Sequence, residues 1–133
     1  MAREELVEVV QRLFDAFSRR DIDAATELVH PDIQLVLVTG DRTRGGRPYR
    51  GLDGLRAYFD DVGKVWRELR VIPQEYRTRE ETVLALGRIY ARDLEGAIVD
   101  SPAGWIWRVE HGRVVYARVF ERPEEAIAAF DEE

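Results

Sequence analysis

The order of apolar periodicities predicts an α+β fold with a mostly antiparallel sheet. Three observations carry this. Apolar residues at helical spacing cluster in the first half of the chain. From Leu69 onward, consecutive runs show the alternation and turn residues of long strands. The length, 133 residues with 45% hydrophobic and 10% aromatic content, suits one domain with its own core, spanning residues 1–133.

Each element has its own signal. Leu6, Val9, Val10, Leu13, Phe14 and Phe17 recur at helical spacing, so residues 3–19 read as a long amphipathic helix. Asp21 is the N-cap of a short second helix carrying Ile22, Ala25, Leu28 and Val29, which Pro31 stops. Ile33 to Thr39 is a β-branched, apolar run and reads as a buried strand. Residues 40–51 read as a polar, glycine-rich loop. A third helix follows, with Leu55, Tyr58, Phe59, Val62 and Trp66 on one face. Strands are expected over Leu69–Thr78, with Pro73 at a bulge or edge, over Thr82–Asp93, and from Ala97 or Ile98 through Pro102 into Gly104–Glu110. His111–Gly112 forms a two-residue hairpin turn into Arg113–Glu121. Pro123 with Glu124 and Glu125 opens a last short helix carrying Ala126, Ile127 and Phe130.

Composition excludes several functions. With no cysteine, disulfide scaffolds, thiolate zinc sites, cysteine nucleophiles and iron–sulfur clusters are ruled out, and a cytoplasmic location is permitted. Two histidines far apart, His30 and His111, make no metal-ligand pair, so no metal is expected. No cofactor is expected either: Gly40 to Gly51 lacks the Gly-Lys-Ser/Thr ending of a phosphate-binding loop. Ser18 and Ser101 lie outside any Gly-x-Ser-x-Gly motif. Membrane insertion is not expected, because no window approaches eighteen apolar residues. A net charge of −6 argues against nucleic acid as a partner. Of the 20 basic side chains only Lys64 is a lysine, and Arg42, Arg44, Arg47 and Arg50 concentrate in the 40–51 loop.

Four stretches carry a resemblance. They are Phe17-Ser-Arg-Arg-Asp-Ile-Asp-Ala-Ala, His30-Pro-Asp-Ile, Tyr49-Arg-Gly-Leu-Asp-Gly-Leu-Arg-Ala-Tyr-Phe and Trp107-Arg-Val-Glu-His-Gly-Arg-Val. In this order and spacing the chain resembles the SnoaL-like branch of the nuclear transport factor 2-like superfamily. The resemblance implies a strongly curved sheet forming a half-open cone around the long first helix, with a pocket inside. Its members include steroid isomerases, polyketide cyclases, dehydratases, epoxide hydrolases and non-catalytic association modules, so the fold does not choose a function.

A two-residue turn at His111–Gly112 pairs Val109 with Val114, Trp107 with Tyr116 and Trp105 with Arg118. The face bearing Trp105, Trp107, Tyr116, Arg118 and Phe120 is then the concave one. By resemblance, Arg88 and Tyr90 join it, whereas a bulge at Gly87 would turn them to the other face. Phe14, Phe17 and Tyr58 close the cavity from the helices. Such a pocket suits an apolar or anionic aromatic molecule, with an arginine holding a carboxylate, enolate or phenolate. The same set also reads as packed core, its arginines paired with Asp53, Asp60, Asp61 or Glu75. The opposite face is apolar apart from Arg108, which leads to a homodimer through the convex side or to local coverage.

No catalytic residue is identified. Alignment on the helix–strand pattern puts Leu37, Leu13 and Trp105 where a steroid isomerase carries its base, tyrosine and aspartic acid. Neither inward face offers the aspartates of an epoxide hydrolase. The expected function is small-molecule binding. Any chemistry would be cofactor-free acid/base work on a hydrophobic carbonyl compound; the alternative is an association module. His30 reads as a helix-end residue and His111 as a solvated turn residue.

Overall fold

A computed structural model of the chain describes residues 2–37, 39, 45 and 47–132. Arg42 and Arg44 of the glycine-rich loop lie outside them. Among the described residues, four helices accompany a six-stranded, curved and unclosed sheet. The elements are α1 (Arg3–Arg19), α2 (Ile22–Leu28), β1 (Val29–Val36), β2 (Tyr49–Arg50), α3 (Gly51–Val65), β3 (Trp66–Arg79), β4 (Thr82–Asp93), β5 (Ile98–Glu110), β6 (Arg113–Phe120) and α4 (Pro123–Asp131). The strand order is β2-β1-β6-β5-β4-β3; all neighbours are antiparallel except β1 and β6.

Helix α1 buries Leu6, Val10, Leu13, Phe14 and Ala16, a stripe at helical spacing. Glu4 and Glu5 in its first turn and Arg19 in its last complement the helix dipole. Asp21 caps α2 by accepting the Ala24 N–H at 3.1 Å. Helix α2 stops sooner than expected: Val29 already begins β1, because the residue before a proline favours extended backbone and His30 precedes Pro31. Trp66 is likewise the first residue of β3 rather than the last of a helix. Pro73 lies on the edge strand and next to a bulge, where a missing N–H is tolerated. Pro102 opposes Arg88 on β4, whereas β6 begins to pair with β5 only at Gly104, so its missing N–H breaks no ladder.

Register irregularities curve the sheet. The β3–β4 ladder slips between Trp66 and Glu68 and between Pro73 and Glu75, and the β5–β6 ladder slips between Arg108 and Val109. Gly87 sits where β3 bends toward β4. A Cβ there would lie 2.0 Å from the Ile72 carbonyl oxygen, so only glycine fits.

The concave side of the sheet holds the main core, in which α1 meets Val83, Ala85, Trp105, Trp107 and Ala117. The convex side has its own smaller core. Leu84 and Ile106 are covered by Ala126 and Phe130 of α4, with Leu86, Tyr116 and Phe120 packed around them. A Cβ on Gly104 would lie 2.5 Å from Ala126 Cβ, so α4 rests directly on β5. Local coverage therefore accounts for the apolar residues on this part of the convex face.

Replacing Gly87 by Ala is expected to cost about 3 kcal/mol, since a backbone carbonyl blocks the new methyl. Urea denaturation would show it as a lower midpoint at unchanged slope; a midpoint equal to wild type would refute the close approach.

Candidate functional site

The hairpin turn forms as expected: His111 and Gly112 both have positive φ, 52° and 78°, and Val109 faces Val114. One residue later the register changes. Arg108 faces Tyr116, Trp107 faces Ala117 and Trp105 faces Val119, so Val115 is an extra residue in β6. A one-residue slip turns every following side chain to the other face. Ala117 and Val119 therefore accompany the two tryptophans on the concave side. Tyr116, Arg118 and Phe120 stand outside, which corrects the face expected for them. The Arg108 guanidinium lies over the Tyr116 ring at 4.6 Å, and that of Arg118 over Phe120 at 4.6 Å.

Strand β4 is inverted as well. Ala85 is opposite Trp105 and Val83 opposite Trp107, so these small residues share the concave face with the indoles. Arg88 and Tyr90, expected inside, point outward. Arg88 Nη2 donates to Asp100 Oδ1 at 3.0 Å, and the Arg70 guanidinium lies 5.1 Å from the Tyr90 ring centre. Asp53 and Glu75 pair with Arg56 and Arg77, while Asp61 accepts the Tyr49 hydroxyl at 2.7 Å.

Phe14, Phe17, Tyr58, Trp105 and Trp107 meet on the concave side. They line an inner compartment together with Ser18 and Arg20 after the apolar stripe of α1, Leu37, Phe59 and Val62 of α3, Leu69 and Val71 of β3, Ile89 and Val119. Its free volume is about 30 Å³, enough for about two waters. A second, outer compartment of about 390 Å³ adjoins it, with Ile89 and Val119 common to both. Trp66, Ala91, Val99 and Ala103 form its apolar wall, and Ser101, Glu121 and Arg122 its polar border.

Thr39 connects the two compartments. Its Oγ1 accepts the Trp66 indole N–H at 3.0 Å, and its hydroxyl is hydrogen-bonded to that of Tyr58. Trp66 lines the outer space and Tyr58 the inner one. Burial pushes the Tyr58 hydroxyl far above its ordinary pKa, reinforced by the nearby Tyr49 and opposed by the Thr39 hydrogen bond and the Arg20 charge. Tyr58 thus keeps its proton at any physiological pH and acts as a neutral hydrogen-bonding group.

Among the described residues, no carboxylate or imidazole lines the inner compartment. His30 Nδ1 accepts the Asp32 N–H at 3.0 Å within β1, on either side of Pro31. No group of acidic or histidine residues that could hold a metal occurs among the described residues.

Arg20 and the outer compartment were not anticipated from sequence. Arg20 gave no helical signal: it is exposed and sits in a left-handed conformation just past the end of α1. The outer compartment had none either, because its walls come from four separated segments.

A family model described as a SnoaL-like domain matches residues 10–117. No curated protein sequence matches the chain. Solved structures share the fold. A Burkholderia pseudomallei NTF2-like protein of unknown function is 23% identical, with a TM-score of 0.80 over 98% of both chains. TerC, co-crystallised with polyporic acid, is 21% identical with a TM-score of 0.79 over 97% of this chain and 99% of its own. A Mycobacterium tuberculosis protein in complex with estradiol-17β-hemisuccinate is 16% identical, with a TM-score of 0.73 over 89% and 94%.

Folding raises the Tyr58 pKa above the ordinary 10. The unfolded chain therefore releases this proton first, and the associated stability is complete below pH 10 and declines above it. In an alkaline absorbance titration Tyr58 should give a late phase, above the ordinary tyrosine range. Tyr58→Phe should remove that late phase, soften the loss of stability above pH 10, and cost about 1 kcal/mol at neutral pH. A variant with the wild-type titration curve would contradict the burial.

Proposed function

We propose that this chain, which belongs to the SnoaL-like family, binds a small apolar molecule in the concave interior of its sheet. The observation that carries this reading is the outer compartment. At about 390 Å³ with an apolar wall, it falls in the size range of small-molecule sites. The compartment adjoins a second space lined by Phe14, Phe17, Tyr58, Trp105 and Trp107. Support also comes from the small molecules named for two proteins of the same fold.

Any chemistry here would be cofactor-free and would use neutral donors. The Tyr58 hydroxyl is the neutral donor of the inner compartment available to a carbonyl oxygen of a hydrophobic compound, and Glu121 is a carboxylate at the border of the outer one. Arg88 and Arg118 have no part in this reading. It includes a cytoplasmic location, which the absence of cysteine permits; no described helix is long and apolar enough to cross a membrane.

A second reading, self-association into a homodimer, is favoured by the part of the convex face that α4 leaves uncovered. Ile72 and Ile98, 40% and 61% exposed, stand there beside Tyr90. Light scattering coupled to size exclusion should give twice the monomer mass at micromolar concentration, and Ile98→Arg should restore the monomer. A monomer in the wild type would remove this reading.

For the binding reading, Trp66, Trp105 and Trp107 are built-in reporters. Titration with a neutral naphthol should shift their fluorescence. Ala103→Trp, which fills the outer compartment, should weaken binding at least about tenfold while circular dichroism stays unchanged. Unaltered affinity in a folded Ala103→Trp variant would sink the assignment.

A further inference from the structure

The polar groups bordering the inner compartment share a property. Arg20 offers a guanidinium, Trp107 an indole N–H, and Ser18 and Tyr58 hydroxyls, with no acidic side chain among them. Among the described residues the fully buried Trp107 Nε1 has no hydrogen-bond partner. Such a lining satisfies a guest that brings acceptors or negative charge, and it disfavours a cationic one.

Among the described residues, Arg20 is the only charged member. Its neighbour Arg19 engages the adjacent acids, with Nε 2.9 Å from Asp15 Oδ2 and Nη1 3.3 Å from Asp21 Oδ2. Arg20 itself has no ion-pair partner among the described residues. Its backbone is in the left-handed region, φ 53° and ψ 40°, at the end of α1, where its N–H donates to the Phe17 carbonyl at 3.1 Å. Glycine is the usual occupant of such a helix end, and arginine accepts strain there while presenting its side chain at the compartment border. That side chain runs along α3: a Cβ built on Gly63 would lie 3.9 Å from Arg20 Nη1, and the guanidinium charge is felt at the Tyr58 hydroxyl.

We infer that the molecule bound in the concave interior is an amphipathic acid, its carboxylate held by Arg20 and its apolar body reaching past Ile89 and Val119 into the outer compartment. The inference rests on the binding reading above and names the ligand's chemical class. Shape adds a restriction. The inner space of about 30 Å³ and the outer one of about 390 Å³ favour a molecule that is unbranched near its charged end and bulkier beyond it.

Calorimetry with decanoate and its neutral analogue decanamide tests this. Decanoate should bind the wild type about tenfold more tightly than the amide. Arg20→Gln should bring decanoate to the amide's affinity and leave the amide unchanged, and Arg20→Lys should keep most of the preference. Equal affinity for acid and amide in the wild type, or a preference that survives Arg20→Gln, overturns the Arg20 anchor while leaving the binding reading intact. If neither probe binds and the tryptophan fluorescence does not move, the anchor and the binding reading both fail.

Discussion

Phe14 meets Trp105 and Trp107 edge-on, with ring centroids 5.2 and 4.9 Å away. That contact seats α1 inside the curved sheet, and the remaining concave features follow from it. Two indoles need small partners in register, which Val83, Ala85 and Ala117 supply. Leu84 and Ile106 then face the other way and need a cover, which α4 provides through Ala126 and Phe130. The helix pair also extends outward, as Phe17 packs on Tyr58 and Phe59 at 5.2 and 5.6 Å. The aromatic cluster thus fills the interior around Phe14 and leaves space beside Ile89 and Val119.

Polar groups in this interior are few and mostly answered. Trp66 and Tyr58 share the Thr39 hydroxyl, and Tyr49 reaches Asp61. The unanswered indole N–H of Trp107 is notable because a buried donor without a partner carries a cost of about 1–3 kcal/mol. The arginines divide by location: most lie on the outer strand faces or helix surfaces and pair with acids or aromatic rings, as Arg70, Arg77, Arg88, Arg108 and Arg118 do. These contacts are half-exposed and each contributes little to stability, so they leave the interior to neutral groups.

Much of the fold was legible in local sequence. The stripe on α1, the Asp21 cap, the His111–Gly112 turn and Pro123 at the start of α4 all act within a few residues of themselves. The short strand β2 was not legible, because Tyr49 and Arg50 become a strand only by pairing with Leu35 and Gln34. The start of β1 at Val29 and of β3 at Trp66 likewise depends on partners in β6 and β4.

Sequence by itself determined the fold class, the apolar stripe of α1 and the family resemblance. Only tertiary structure decided which strand faces look inward. Alternation specifies two faces but not which is concave, and one extra residue at Val115 reverses the answer for Tyr116, Arg118 and Phe120. Both faces of β4 and β5 are apolar near their paired centres, since α1 covers one and α4 the other, so hydrophobicity could not choose between them. The same ambiguity moved the candidate cationic group from Arg88 and Arg118 to Arg20, whose place depends on where the end of α1 meets α3.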